Sequence, residues 1–403
     1  WPFKQHKTSR NIKTLPYHEE LKSFGACFGV SGGYERPMWF ALDGEKTEYE
    51  YSYNYQNWYP SAEYETNNTI KNVGLFDLTP FSKFEIKSNQ AHRELQKICT
   101  SNIKNEAGKC VYTHMLNPDG GIETDLTVVC IEKDHFRIIS SAATRERDKF
   151  HINKHLAKDV ELKDVTDDYC VFGVFGPKSR ALMKSISKDN FENDNFRFST
   201  AKYITIEGIK IWTQRLSYVG ELGYELYVKS EDAKKIYELL VNKGKDFNLS
   251  NCGMHAMDIM RMESGFLHWG HDISPEENQY QAGLSFTISS KKEDEFIGKK
   301  ALEKIKKEKI KSRFAMFTLK DSKPGEPLLL HDEPIYLENK IIGRSTSGNY
   351  SFNFRKNLTF GYINNDISND ELHKKDLFIE IEKKKYPIEL INKPLKQTNF
   401  KNN

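Results

Sequence analysis

The stretch NPDGGIETDLTVV, residues 117–129, joins a turn to a strand that carries a carboxylate in its middle. After the turn, side chains alternate, so that Leu126 and Val128 share one face of the strand and Asp125 lies on the other. Aspartate is depleted from strand interiors, and an unpaired carboxylate on a sheet face costs free energy unless a partner or a ligand requires it. Asp125 is therefore a candidate functional residue. A carboxylate that caps backbone amides near the turn is an equally good interpretation.

The neighbouring segments predict that this strand is the central one of three. CVYTHML, residues 110–116, precedes the turn, and HFRIISSA, residues 135–142, follows a second turn of Glu-Lys-Asp. Apolar runs joined by such short turns are typical of antiparallel hairpins. We therefore expect an antiparallel meander with Asp125 in its middle strand.

The composition indicates a globular chain of two or three domains, with 403 residues of which 38% are apolar and 12% aromatic. Lys and Arg total 60 and Asp and Glu total 57, so no net field favours nucleic acid or a membrane surface. The six cysteines have no close pair, which favours reduced thiols over a disulfide framework or a zinc site. No membrane span or secretory leader is predicted. We expect a cytoplasmic protein, or a mitochondrial matrix protein if the chain is eukaryotic.

The rest of the chain predicts an α+β order that ends in an all-β region. Residues 1–40 are expected to be an irregular arm, and ITIEGIKIWTQRLSY, residues 204–218, to form one strand paired with LGYELYVK. Helices are predicted at 92–98, 144–158, 230–244 with Ser230 as N-cap, and 254–265. The lysine-rich residues 291–312 predict an exposed helix and linker. After Arg313, short strands at regular intervals predict a β-barrel or sandwich.

Several motifs that would indicate other chemistry are absent from the sequence. It contains no G-x-G-x-x-G after a strand, no phosphate-binding G-x-x-x-x-G-K-[ST] and no H-E-x-x-H. A nucleotide or flavin site within these residues is therefore not expected. His151 and His155 are spaced to share a helix face, but without a third ligand nearby we expect exposed histidines and no metal site.

RLSYVGELGYELYV, residues 215–228, is a second polar intrusion into an apolar region. Its glycines permit a tight backbone, Tyr218 offers an amphipathic ring, and Glu221 and Glu225 offer two carboxylates. From residue types alone, a hairpin with an incidental salt bridge explains this stretch at least as well as a site does.

A resemblance that covers nearly the whole chain favours the functional interpretation. Its landmarks, in order, are GGIETDLTV, SSAATRERD, RLSYVGELGYELY, AMDIMRMESGFLHWG, DEFIGKKAL and STSGNYS. In these stretches the chain resembles the aminomethyltransferase family of the glycine cleavage system. It is still more similar to the carboxyl-terminal half of dimethylglycine and sarcosine dehydrogenases, in WPF and GYERPMWF of the arm and in the Tyr218 hairpin. Met257 stands where the glycine cleavage protein has arginine, and the dehydrogenases resemble this chain in having methionine there.

The resemblance implies an α+β fold of three domains around a central cavity that binds tetrahydrofolate. It implies a connecting arm over residues 1–40, folate-binding domains over 41–309 and a carboxyl-terminal β-barrel over 310–403. Asp125 matches the catalytic aspartate of the family. Tyr218 and Glu225 match residues that bind the pterin, Ile139 matches an apolar wall residue, and Tyr112 is expected to contact the cofactor as well.

The residue types agree with these implied roles. The pyrimidine edge of a pterin presents two parallel N–H donors, which the Glu225 carboxylate can accept together. Tyr218 can pack its ring on the pterin or donate its hydroxyl. Asp125 can steady a cationic iminium carbon and take the proton that the attacking nitrogen loses. On this hypothesis the aspartate lies within a strand because the reacting nitrogen lies over that face.

The implied activity is a tetrahydrofolate-dependent one-carbon transfer that forms 5,10-methylenetetrahydrofolate from a methylated amine or its iminium product. The dehydrogenases carry a flavin domain before WPF. Because the sequence opens at Trp1 without an initiator methionine, we expect the transferase part of such a flavoenzyme, with FAD only in an upstream domain. One alternative is a free-standing glycine cleavage aminomethyltransferase or a related folate-dependent demethylase. Another is a non-catalytic folate-binding partner protein, like the relative that assists iron–sulfur cluster assembly, whose Lys-Gly-Cys-Tyr motif is absent here.

Overall fold

The computed structural model describes residues 2–290, 292, 294–397 and 401. Trp1 of the predicted arm, Lys291 and Glu293 of the predicted linker, and residues 398–400, 402 and 403 of the predicted barrel domain lie outside the described residues. Within the described part, the α-helices are α1 His18–Ser23, α2 Tyr59–Lys71, α3 Ala91–Ile98, α4 Arg145–His155, α5 Ser179–Ile186, α6 Ala233–Gly244, α7 Met254–Glu263, α8 Lys299–Lys307 and α9 Asn369–Lys374. No helix of this part is both long and apolar enough to cross a membrane.

The strands belong to one hairpin, two open sheets and one closed barrel. In chain order they are β1 Ala26–Ser31, β2 Tyr34–Phe40, β3 Val73–Asp77, β4 Ser82–Lys87, β5 Cys110–Leu116, β6 Ile122–Glu132, β7 His135–Ser140, β8 Leu162–Asp164, β9 Tyr169–Phe175, β10 Thr200–Ile206, β11 Ile209–Arg215, β12 Gly223–Lys229, β13 Leu249–Cys252, β14 Ser312–Leu319, β15 Pro334–Leu337, β16 Lys340–Ser351, β17 Lys356–Asn364, β18 Leu377–Ile381 and β19 Lys384–Ile391. Helices and sheets are thus mixed along the chain until the barrel, as the sequence predicts.

The meander around Asp125 is confirmed. Strands β5, β6 and β7 are successive antiparallel neighbours in a five-stranded sheet of order β5-β6-β7-β4-β8. Leu126 and Val128 are buried in the core beneath this sheet. Val129, on the same side as Asp125, belongs to a different apolar cluster, shared with the second sheet and α7. The face that carries Asp125 is therefore turned towards the centre of the molecule.

The second open sheet has six strands in the order β10-β11-β12-β9-β3-β13. Its last pair is parallel, with Leu249 opposite Val73, and no pattern in the sequence predicted that pairing. The prediction of one strand over 204–218 was wrong, because the chain turns back between β10 and β11. Glu207 and Gly208 make that turn with φ of 48° and 78°, a conformation typical of two-residue hairpin turns.

The expectation of an irregular arm was also wrong, because helix α1 and the hairpin of β1 and β2 occupy much of it. Gly32 and Gly33, with φ of 57° and 84°, close the hairpin by a two-residue turn. Leu15, Tyr17 and other apolar side chains of residues 15–40 are buried in the same core as the six-stranded sheet.

Two further local expectations were corrected. Helix α6 begins at Ala233, and Ser230 does not cap it, because its Oγ donates to the carbonyl of Asp167 at 3.0 Å. His151 is buried with 8% exposure, although His155 is partly exposed. Their rings meet edge to face with 4.9 Å between centroids, because residues four apart lie on the same face of α4.

The carboxyl-terminal strands form a closed barrel of order β14-β17-β16-β15-β18-β19, which confirms the barrel among the predicted alternatives. The lysine-rich helix α8 precedes it, and of its residues only Leu302 is buried. Arg261 of α7 connects this barrel to the rest of the molecule. Its guanidinium donates to Asp272 at 2.6 Å and, through Nη2, to Ser347 of β16 at 2.8 Å.

Candidate functional site

A cavity of about 380 Å³ lies where the two open sheets, helix α7 and the arm hairpin meet. The five residues singled out from the sequence all line this cavity: Tyr112, Asp125, Ile139, Tyr218 and Glu225. They come from both open sheets and from a connecting segment, so the fold brings together residues that are far apart in the sequence.

Asp125 projects from β6 opposite His114 of β5. The Tyr112 hydroxyl donates to Asp125 Oδ2 at 3.3 Å and lies equally close, 3.3 Å, to His114 Nε2. Burial raises the pKa of Asp125 to about 6, and the nearby Asp148 carboxylate acts in the same direction. The Tyr112 hydrogen bond opposes both effects. Asp125 therefore changes its charge close to neutral pH.

The turn that precedes β6 has its own cap. Asn117 Oδ1 accepts from the amides of Asp119 at 3.0 Å and Gly121 at 2.9 Å. The turn amides are therefore satisfied by an asparagine, while the Asp125 carboxylate lies on the cavity wall. This geometry removes amide capping of the turn as the reason for an aspartate within the strand.

Glu225 projects from β12, between Gly173 of β9 and Gln214 of β11. The Tyr227 hydroxyl donates to its Oε2 at 3.1 Å. Burial raises the pKa of Glu225 to about 7, and this hydrogen bond only partly offsets the effect. By contrast, Glu221 of the same stretch forms an ion pair with Lys396. The two carboxylates of this hairpin thus serve different purposes, a salt bridge at one and a cavity wall at the other.

Tyr218 lies between β11 and β12, where the chain turns through Gly220 with φ of 70°. Its hydroxyl donates to the carbonyl of Leu267 at 2.9 Å. Its ring is stacked on that of Phe266, with 6.0 Å between centroids. These contacts fix the ring at the cavity wall. Ile139 of β7 adds an aliphatic surface to the wall.

Several lining residues were not predicted from the sequence, namely Arg36, Lys83, Asp258, His268 and Trp269. Lys83 Nζ donates to the carbonyls of Thr79 at 2.8 Å and Phe81 at 2.7 Å, and burial lowers its pKa to about 7. Burial likewise lowers the pKa of His268 to about 4. Lysine in a strand such as SKFEIK suggests a solvent-facing position, so no local pattern signals the burial of Lys83. Arg36 lies within the landmark GYERPMWF, and Asp258, His268 and Trp269 lie within AMDIMRMESGFLHWG, so the family resemblance was the available signal for these four residues.

Met257 and Asp258 of α7 complete one side of the cavity. Met257 contributes a thioether at the position where the glycine cleavage protein is expected to have arginine. Asp258 accepts from Arg261 at 2.8 Å and from Asn349 of β16 at 3.0 Å. The Arg261 charge helps to keep the pKa of Asp258 below its usual range despite burial. Asp258 is thus an ionised, fully engaged carboxylate, unlike Asp125 and Glu225.

A metal site finds no support in the described part of the chain, where no group of three or more His, Cys, Asp or Glu side chains is arranged to hold an ion. The cavity itself offers two carboxyl groups whose pKa values are raised to about 6 and about 7, surrounded by tyrosines and apolar surface. Such an arrangement suits recognition of paired N–H donors and proton transfer.

Family models match almost the whole chain. The GCVT N-terminal domain covers residues 17–292, and the glycine cleavage T-protein C-terminal barrel domain covers residues 313–396. The chain belongs to the glycine cleavage T-protein family. This finding confirms the resemblance seen in the sequence, and the second match corresponds to the closed barrel.

Similar proteins include both long and short members of the family. The chain is 37% identical to 4-methylaminobutanoate oxidase (formaldehyde-forming) of Paenarthrobacter nicotinovorans, over 87% of this chain and 42% of that protein. It is 32% identical to mitochondrial dimethylglycine dehydrogenase of Rattus norvegicus, over 91% of this chain and 42% of that protein. It is also 32% identical to an aminomethyltransferase of Halothermothrix orenii, over 75% of this chain and 83% of that protein. The chain thus spans less than half the length of the first two relatives.

A solved structure has the same fold. The glycine cleavage system aminomethyltransferase T of Bartonella henselae superposes with a TM-score of 0.81, covering 96% of this chain and 99% of that one, at 20% identity. The α+β fold inferred from the sequence is therefore confirmed.

Proposed function

We propose that this chain binds tetrahydrofolate in the central cavity and catalyses transfer to it of the one-carbon unit of an iminium, the two-electron oxidation product of a methylated amine, forming 5,10-methylenetetrahydrofolate. The observation that carries the proposal is that Asp125 and Glu225, two carboxyl groups with raised pKa, line the same cavity. Membership of the glycine cleavage T-protein family supports it.

The residues of the cavity fit a reduced pterin. A carboxylate in apolar surroundings binds two parallel N–H donors strongly, because little water competes for it. Glu225 meets that description and would hold the pyrimidine edge. Ile139 and Met257 offer apolar surface for the ring faces, and Tyr218 offers an aromatic one.

When bound, tetrahydrofolate supplies the two amine nitrogens that take up the carbon. Asp125 would hold the negative charge that steadies the cationic carbon, and would accept a proton from the carrier nitrogen. A base with a pKa near 6 is largely ionised at neutral pH and still accepts a proton readily. Over the whole reaction the iminium nitrogen leaves as an amine, which gains the two protons that the nitrogens of tetrahydrofolate lose. Tyr112 would orient the Asp125 carboxylate through its hydrogen bond.

The finer assignment is to an N-demethylating enzyme of the dehydrogenase branch. Two relatives of that kind are named for 4-methylaminobutanoate and dimethylglycine, and this chain matches 42% of each. We infer that it acts together with an upstream flavin domain that oxidises an N-methyl amino acid. Met257 at the cavity wall, in place of arginine, favours this branch.

A second candidate is a free-standing aminomethyltransferase. It is favoured by the match to the Halothermothrix orenii protein, of which this chain covers 83%. Release of ammonia from an aminomethylated carrier protein would distinguish this activity from transfer out of an N-methyl amino acid.

The proposal is tested by binding and by transfer. Calorimetric titration with 5-formyltetrahydrofolate, a stable reduced folate, should give saturable binding with one site per chain. Formation of 5,10-methylenetetrahydrofolate from an iminium of an N-methyl amino acid should exceed the rate without protein. Binding without transfer would instead support a folate-binding partner protein, and absence of both would refute the proposal.

A further inference from the structure

Arg36 is a cation in the cavity that the proposed chemistry does not use. It lies on β2 of the arm hairpin, opposite Gly29 of β1, and lines the cavity together with Asp125 and Glu225. Successive side chains of a strand point to opposite faces, so Arg36 and its neighbour Glu35 project in opposite directions. The arm thus contributes a guanidinium to a wall that is otherwise built mainly by the two open sheets and α7.

The guanidinium has no partner of its own among the described residues. Nε of Arg36 is buried and forms no hydrogen bond within the part of the chain that the structure describes. The carboxylate next to it in the sequence, Glu35, is held on the other face by Arg10 Nε at 2.8 Å and by the Asn11 amide at 2.7 Å. Glu35 is therefore not available to neutralise Arg36.

The Asp77 carboxylate raises the pKa of Arg36 by charge attraction, but no hydrogen bond or ion pair joins the two in the described part of the chain. Asp77 Oδ1 instead accepts from the Tyr17 hydroxyl at 2.9 Å and from the Thr79 amide at 3.1 Å. Burial lowers the pKa of Arg36 to about 10, and the attraction to Asp77 only partly compensates.

The other carboxylates on the cavity wall are also engaged elsewhere. Asp258 is bound by Arg261 and Asn349, Asp125 by Tyr112, and Glu225 by Tyr227. A buried guanidinium is unfavourable unless its charge and its fork of donors are matched. Because the protein leaves these donors unmatched beside a cavity, the missing partner is expected to be a ligand.

We propose that Arg36 binds the carboxylate of a ligand in the central cavity. The guanidinium fork matches a carboxylate in bidentate geometry, which an ammonium could not reproduce equally well. The inference rests on the proposed function for the identity of the ligands. It adds a specificity residue from the arm to a site whose other members come from the sheets and α7.

Two ligands of the proposed reaction can present this group. One is the N-methyl amino acid, or its iminium, whose carboxylate would be anchored at Arg36 while its cationic carbon faces Asp125. The other is the glutamate end of tetrahydrofolate. Both use the same chemistry, and they can be told apart because each has an analogue that lacks the carboxylate.

The test compares Arg36→Met with the wild type by calorimetric titration. The probes are 5-formyltetrahydrofolate and 6-methyltetrahydropterin, which lacks the glutamate, and N-methylglycine and dimethylamine, which lacks the carboxylate. We expect Arg36→Met to weaken the binding of one carboxylate ligand by roughly tenfold or more. The affinity for the analogue of that ligand that lacks the carboxylate should not change. The Arg36→Lys variant should lose less affinity for the carboxylate ligand, because lysine keeps the positive charge but lacks the forked pair of N–H donors. Arg93→Met, at a helix position with 68% side-chain exposure, is the control for loss of one positive charge.

The pattern of losses identifies the ligand. Loss confined to 5-formyltetrahydrofolate assigns Arg36 to the glutamate, and loss confined to N-methylglycine assigns it to the amine substrate. If Arg36→Met binds both carboxylate ligands within about twofold of the wild type, the inference is wrong even though folate binding stands. If the wild type itself binds no reduced folate, the proposed function fails, and N-methylglycine alone then decides the role of Arg36. Should Arg36→Met not fold, Arg36→Gln gives the same comparison.

Discussion

Asp125 and Glu225 lie on strands of two different sheets, yet their carboxyl groups line one cavity. Asp125 belongs to the central strand of the meander and Glu225 to a middle strand of the six-stranded sheet. Burial raises the pKa of both, to about 6 and about 7. Two carboxyl groups held in this way cost stability, which a protein tolerates where the groups serve a ligand.

Asp125→Asn should lower folate-dependent transfer by ~10²-fold or more, because the amide cannot accept the proton. Binding of 5-formyltetrahydrofolate should change little, since Glu225 is expected to hold the pterin. The rate is measured as formation of 5,10-methylenetetrahydrofolate, and the fold is checked by circular dichroism.

Asp119→Asn is the matched control for that substitution. Asp119 is exposed in the turn that precedes β6, so the same chemical change there leaves the cavity intact. It should keep wild-type transfer. Wild-type transfer by Asp125→Asn as well would remove Asp125 from the reaction.

Affinity for reduced folate should increase with pH until Glu225 is ionised. Its pKa of about 7 means that the ligand-free carboxyl is mostly protonated in acid, and only the carboxylate accepts two N–H donors. The gain should approach about tenfold per pH unit below that pKa. Calorimetry from pH 5.5 to 8 checks this (roughly the range over which a group with such a pKa titrates). The Glu225→Gln variant should bind reduced folate weakly, and its affinity should depend less on pH. An unchanged dependence of affinity on pH in this variant would contradict the role of Glu225.

In the ligand-free protein, Asp125 and Glu225 should contribute stability that is lost as pH rises from about 4 to about 7, whereas buried histidines with a lowered pKa, such as His268, contribute in the opposite direction. The folded pKa values of Asp125 and Glu225 lie above their ordinary values of 3.8 and 4.5, so the folded state binds more protons in this range. Their stabilising contribution is complete below the ordinary values and disappears as pH passes the raised ones. The unfolding temperature of the double variant Asp125→Asn, Glu225→Gln, measured against pH beside that of the wild type, should lack this loss between about pH 4 and 7. If the unfolding temperatures of the two proteins changed equally with pH, other titratable groups would dominate the pH dependence of stability.

Tyr218→Phe should lower the free energy of unfolding by about 1 kcal/mol, because the hydrogen bond to the Leu267 carbonyl is lost. Urea denaturation measures the change. Tyr203→Phe, at a position with 43% exposure, is a control that should alter stability little. If Tyr218→Phe kept full stability but bound folate more weakly, the hydroxyl would serve the ligand directly.

Asp272→Ala should destabilise the protein by roughly 3–5 kcal/mol, since it removes a partner of the buried Arg261. The Asp272 carboxylate also accepts from the His268 amide at 2.9 Å and from Thr346 of β16 at 2.6 Å. The loss should therefore loosen the contact between the barrel and the cavity-lining segment. Asp332→Ala removes an exposed partner of Arg344 and should cost less than about 1 kcal/mol. Similar losses for both variants would contradict this account.

Local patterns predicted the parts of the fold that depend on short-range order. The alternation of residues 110–142 gave the meander and put Asp125 on the face opposite Leu126, because strand geometry fixes the direction of each side chain. The closely spaced strands after Arg313 gave the barrel. The five predicted site residues line one cavity, although that prediction drew on family resemblance as well as on residue types.

Features set by pairing between distant segments were not predictable in this way. The parallel pairing of β3 with β13 joins segments separated by most of the two open sheets, and nothing local signals it. The hairpin turn at Glu207 needs a positive φ at a residue other than glycine, which propensity alone does not suggest. Arg36 and Lys83 are charged residues that local sequence assigns to solvent, and only the meeting of the arm with the sheets encloses them.

All six cysteines are free thiols buried in the native structure: Cys27, Cys99, Cys110, Cys130, Cys170 and Cys252. Burial raises the pKa of Cys99, for example, to about 12, so reactive thiolate is scarce until the surrounding structure opens. The thiols belong to the arm hairpin and to the two open sheets or their immediate neighbours, whereas the barrel sequence has none. The rate of alkylation at each cysteine, measured by mass spectrometry, would thus report how often the structure around that cysteine opens. The hairpin and the two open sheets would be followed separately, and the barrel would contribute no signal.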